Sequence, residues 1–177
     1  MTVTTQSSNQ SSNQSSNQSS NQSSNQSSMK MAENTIANNI DGFKRLYNLM
    51  NRENITLELI KSVYGDDIHF QDCFHSIDGI KNLYGYFDNL YSNVSFIQFN
   101  FINQWNDDNS AMITWEMTYK HPKLNQGKNI VVKGASELTF EDNKIIKHRD
   151  YFDAGSLLYE HIPLLKRIIL FLKNRMA

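Results

Sequence analysis

Ile145-Ile146-Lys147-His148-Arg149-Asp150-Tyr151-Phe152 alternates with a period of two, which places His148, Asp150 and Phe152 on one face of an extended strand. The three runs before it behave alike: Asn129–Phe140, Ala111–His121 and Val94–Phe101. Glu141-Asp142-Asn143-Lys144 and Asn106-Asp107-Asp108-Asn109 read as hairpin turns, and Pro122–Gly127 as a loop, so four strands in an antiparallel meander are predicted.

Upstream of Val94 the period lengthens to about 3.6. Ile36, Ile40, Phe43, Leu46, Tyr47 and Met50 recur at three- and four-residue spacing, which predicts an amphipathic helix from Thr35 to Met50. A second helix carries Leu57, Leu59, Ile60, Val63 and Tyr64, with Thr56 as its cap. Gly65-Asp66-Asp67 reads as a stop and turn, and Ile68–Asp72 as a short alternating strand. Asp78-Gly79 opens a third helix through Ile80, Leu83, Tyr84, Phe87, Leu90 and Tyr91. Helices first and then a meander define an α+β class: a cone-shaped, curved antiparallel sheet wrapped around N-terminal helices. Every second strand residue lines the interior of such a cone, a natural ligand pocket. A C-terminal amphipathic helix follows from about residue 156, with Pro163 interrupting it or starting its second half.

Composition limits the classes of function. From Ser7 to Gln26 the tetrapeptide Ser-Ser-Asn-Gln repeats without a charge or an aromatic ring, so residues 1–31 are expected to be a disordered tail and residues 32–177 one domain. Met29 and Met31 stand where the globular composition begins, so the repeat is either a true tail or an upstream extension of the reading frame. The 17 basic and 18 acidic side chains leave no field directed at nucleic acid. The single cysteine, Cys73, fits a reducing compartment, and no run approaches the ~20 apolar residues of a membrane span. A cytoplasmic protein is expected.

Two stretches resemble a known family. Val63-Tyr64-Gly65-Asp66-Asp67-Ile68-His69-Phe70-Gln71-Asp72 is similar to the helix end and first strand of SnoaL-like proteins in the nuclear-transport-factor-two-like superfamily. Lys144-Ile145-Ile146-Lys147-His148-Arg149-Asp150-Tyr151-Phe152-Asp153 is similar to the final strand. The fold hosts isomerases, cyclases, hydrolases and binding modules, so the resemblance implies a pocket without implying one reaction. It puts Asp72 on the general-base position of ketosteroid isomerases. Leu46 and Ser136 stand where those enzymes carry an oxyanion-hole tyrosine and acid, with Tyr47 and Glu137 adjacent. Arg149–Asp153 reproduces the terminal string of limonene-epoxide-hydrolase-like members, in which Asp150 would position water. Glu116 and Thr118 replace that set's other Arg and Asp. His148 and Asp153 fall near the acid–base pair of SnoaL-like cyclases.

The candidate catalytic residues are therefore Asp72, Asp150 and His148, with Tyr47, Phe70, Trp115, Met117, Tyr119 and Phe152 lining the pocket. Each carboxylate has a structural alternative: Asp72 capping the turn before Ser76, and Asp150 bonding backbone groups near the last helix. Trp115, Met117 and Tyr119 share one strand face, as either an aromatic pocket wall or ordinary core. No metal spacing and no Gly-rich phosphate loop occurs, so neither metal nor cofactor is expected. The expected partner is a small apolar molecule handled by acid–base chemistry; the alternative is a non-catalytic ligand-binding or protein-interaction module. Ile162–Arg175 is apolar with a basic edge; a lid, a partner surface and a membrane-surface helix compete, with packing on its own domain or in a homodimer favoured over membrane contact.

Overall fold

The computed structural model describes residues 30–31 and 34–176; the Ser/Asn/Gln repeat lies outside them. The first helix, α1, spans residues 34–49. Its apolar stripe of Ile36, Ile40, Phe43, Leu46 and Tyr47 is buried, as is Met50 just beyond its end. Thr56 caps α2 (Leu57–Lys61), its hydroxyl accepting from the Leu59 amide at 3.1 Å. Strands β1 (Tyr64–Gln71) and β2 (Ser76–Asp78) form a short hairpin, and α3 (Ile80–Asn93) follows. The meander is β3 (Phe96–Asn106), β4 (Ser110–Lys120), β5 (Ile130–Glu141) and β6 (Lys144–Phe152). The chain ends in α4 (Ala154–Leu157), a 3₁₀ turn at Tyr159–His161 and α5 (Pro163–Met176).

The six strands lie in the order β2-β1-β6-β5-β4-β3, an unclosed sheet whose concave face holds the helices. Its pairs are antiparallel except one: β1 lies parallel to β6. That pairing carries the first strand to the end of the meander, beside His148 and Asp150.

Gly65-Asp66-Asp67 does not stop the chain before the strand; it bulges within it. Tyr64 pairs with Ile145 and His69 with Lys147, so the segment between Tyr64 and His69 loops out of register. A Cβ at Gly65 would sit 3.2 Å from the Asp67 carboxylate, which suits glycine at this crowded bend. The bulge keeps Tyr64, Ile68 and Phe70 all buried on the inner face. The last hairpin turns on Asp142 and Asn143, both with positive φ, at the position where the turn is predicted.

The C-terminal helix expected from about residue 156, with Pro163 interrupting it or starting its second half, is three pieces. Asp153 caps α4 through the amides of Gly155 and Ser156, and Pro163 starts α5, where its missing N–H costs nothing. Among the described residues no helix is long and apolar enough to cross a membrane.

Candidate functional site

Inward residues of β1, β4 and β6 meet α3 and α4 around a cavity of about 520 Å³. Its wall is predominantly apolar, and Tyr47, Phe70, Trp115, Met117, Tyr119 and Phe152 all contribute. The Tyr119 hydroxyl donates to the Leu157 carbonyl, which ties α4 to the sheet at the cavity rim. Asp72 and Asp150 face this same cavity, whereas His148 lies behind it with no exposed side-chain surface.

The two carboxylates are held differently. Asp72 Oδ1 accepts from the backbone amides of Phe74 (2.7 Å) and His75 (2.6 Å), and its Oδ2 accepts from the Tyr86 hydroxyl at 2.8 Å. Both oxygens are engaged, and the pattern is that of an aspartate closing a turn on its own following amides. Asp150 uses one oxygen: Oδ1 accepts from the Ser136 hydroxyl at 2.5 Å and from His148 Nε2 at 2.8 Å. Among the described residues Oδ2 has no hydrogen-bond partner.

Behind Asp150 runs a buried chain of polar groups. Trp115 Nε1 donates to Ser136 Oγ at 2.9 Å, which fixes the serine whose hydroxyl points at Asp150. On the other side His148 Nδ1 lies 2.9 Å from the Tyr64 hydroxyl, and Tyr64 lies 3.1 Å from the Tyr47 hydroxyl. With the imidazole hydrogen on Nε2, every donor has an acceptor: Tyr47 donates to Tyr64, Tyr64 to Nδ1, and Nε2 to Asp150. Burial pushes the Tyr47 and Tyr64 phenols well above their ordinary range, so both remain hydroxyl donors. Phe43 and Phe70 pack edge-on against the His148 ring and fix its plane. The chain touches the cavity at both ends, at Tyr47 and at Asp150.

Adjacent strand residues point to opposite faces of the sheet. Glu137 accepts from the Tyr151 hydroxyl on the exposed face of the sheet, while its neighbour Ser136 is buried at the site. Four contributors carry no role in the sequence-based reading. Tyr64 reaches the site through the β1 bulge; Tyr86 and His75 surround Asp72; Ser136 bridges Trp115 and Asp150. Tyr86 had a signal, since it sits three residues after Leu83 on the buried side of α3. His75 reads as a loop residue and is one, yet that loop borders the cavity. In the first helix the cavity-facing side chain is Tyr47; Leu46 is packed in the core.

A curved, open α+β sheet with a lined concave cavity defines the nuclear-transport-factor-two-like class. The sequence profile of the SnoaL-like domain matches residues 43–148, and the chain belongs to that family. Solved structures agree on the fold. A putative SnoaL-like polyketide cyclase from Jannaschia Sp. CCS1 superposes with a TM-score of 0.61 at 12% identity, over 70% of this chain and 90% of that one. A hypothetical protein with a ketosteroid-isomerase-like fold from Catenulispora acidiphila DSM 44928, in complex with trimethylamine, gives 0.59 at 11% identity over 70% and 91%. An epoxide hydrolase of the LEH-like type from M. tuberculosis gives 0.56 at 14% identity over 75% and 93%. No curated protein matches the sequence.

Proposed function

We propose that the cavity binds a small apolar molecule and that Asp150 moves a proton on it, with His148 as the group that orients the carboxylate. One observation carries this reading: Oδ1 of Asp150 is anchored by two donors while Oδ2, on a residue of the cavity wall, has no partner among the described residues. A carboxylate held so is positioned to accept a proton from a bound molecule and, as the acid thus formed, to return one. Tyr47 adds a polar edge to the same cavity wall, its hydroxyl hydrogen being directed to Tyr64. Asp72 shapes the turn and the cavity wall and takes no proton in this scheme, because both its oxygens are occupied.

The apolar wall supports the ligand class: Trp115, Phe99 and Phe152 present ring faces and edges to a flat apolar guest. The test is equilibrium binding of 2-naphthol, a flat probe with one hydroxyl, measured by titration calorimetry. Saturable one-to-one binding that Met117→Trp abolishes without loss of the fold is expected. Absence of saturable binding, or binding indifferent to Met117→Trp, overturns the cavity as the ligand site.

A further inference from the structure

We infer that α5 is a docking helix for an anionic phospholipid surface. The helix stands off the body: among the elements from α2 onward its one substantial neighbour is the 3₁₀ turn just before it, and none of its residues is buried. Leu164 is 70% exposed, Ile168 48%, Phe171 62% and Leu172 51%, an unusual amount of aliphatic and aromatic surface to leave in water. At 100° per residue Phe171, Leu164, Ile168, Leu172, Leu165 and Ile169 fall within an arc of about 160°. Leu170 lies outside it, and Arg175 falls inside it at the last turn.

The charges choose the occupant. Lys166, Arg167, Lys173 and Arg175 are the only ionisable side chains of α5, and all four are basic. Lys166 and Lys173 flank one edge of the apolar arc and Arg167 the other side of the polar face; Lys173 also pairs with Glu160. A second copy of the same helix would bring eight like charges together along an apolar seam. An anionic lipid surface instead meets the cations with phosphate and carboxylate groups and receives the apolar arc at the acyl boundary. Length agrees with this geometry, since 14 residues reach about 21 Å, enough to lie in an interface and too short to span one. Leu157 and Leu158, at the cavity rim, stand only a few residues before α5. Docking would therefore set the rim near the bilayer, a corollary that rests on the ligand-site reading above while the docking itself does not.

Co-sedimentation of the full chain with vesicles decides it, using phosphatidylcholine alone and phosphatidylcholine with 30% phosphatidylserine. Binding to the anionic vesicles that weakens with salt is expected. Lys166→Gln with Arg167→Gln weakens it about 25-fold, at roughly fivefold per basic charge. Ile168→Ser with Phe171→Ser removes it, and both positions are exposed, so the domain keeps its circular dichroism. Equal partition to both vesicle types, or none to either, overturns the inference. So does a dimer in light scattering that Ile168→Ser with Phe171→Ser converts to monomer without any vesicle binding. 2-Naphthol binding is read separately, so failure here leaves the cavity reading untouched.

Discussion

His148 Nε2 lies 2.8 Å from Asp150 Oδ1, and the imidazole has no exposed surface while the carboxylate keeps 15% of its own. The histidine belongs to the interior and the aspartate to the cavity, so the pair passes the order of the core out to a group that a ligand can reach. Replacing His148 by Phe takes away the acceptor of the buried Tyr64 hydroxyl, which is left with Tyr47 alone. It also removes a donor from Asp150. A loss of about 2–3 kcal/mol is expected in urea unfolding, since an unsatisfied buried polar group costs about 1–3 kcal/mol.

Asp72 separates structural from chemical carboxylates. Asp72→Ala removes the acceptor of two turn amides and of Tyr86 and should cost about 1–2 kcal/mol, as loss of a comparable cap does. Asp72→Asn keeps one oxygen for the amides and should cost under half as much. Thermal unfolding of the two variants side by side measures the ratio; equal losses would contradict a turn-closing role.

Gly134 is required by Trp115. A Cβ there would stand 2.3 Å from the indole and 2.7 Å from the Tyr151 carbonyl. The indole cannot retreat without breaking its bond to Ser136. Gly134→Ala is expected to destabilise by about 1–3 kcal/mol and to alter Trp115 fluorescence.

Alkaline pH tests the buried phenols. Burial raises Tyr47, Tyr64, Tyr86 and Tyr91, and lifts Tyr119 to about 12. The folded form holds these protons more tightly than the unfolded chain, whose tyrosines ionise near 10. Their contribution to stability is complete below pH ~10 and declines as pH rises above it toward the folded values. Ultraviolet phenolate titration should show these rings ionising only together with loss of near-ultraviolet circular dichroism. Full titration of all eight tyrosines in a still-folded protein would contradict the buried chain.

What the sequence makes legible follows from periodicity. The β4 alternation puts Trp115, Met117 and Tyr119 on one face, and the structure has those three at the cavity. The meander and its Asp142-Asn143 turn read off local preferences in the same way. The bulge after Tyr64 does not, because Gly-Asp-Asp signals a turn equally well inside a strand or before it. Nor does the parallel pairing of β1 with β6, a long-range choice without a local mark. These two features bring Tyr64 to His148, so the chain behind Asp150 is invisible from spacing alone. The break of the C-terminal helix at Leu158 likewise carries no local mark; beside it the Leu157 carbonyl accepts from the Tyr119 hydroxyl.

The most direct test of Asp150 as a base in an apolar cavity uses 5-nitrobenzisoxazole. Removal of its ring C–H proton by a carboxylate breaks the N–O bond, forms a nitrile and releases a coloured phenolate, so proton transfer is read as absorbance. The account predicts saturable acceleration by the wild-type protein. Asp150→Asn should lower the turnover number about 10²-fold or more with little change in KM, and Asp72→Asn should retain most of it. Equal rates for wild type and Asp150→Asn, or a loss confined to Asp72→Asn, would contradict it.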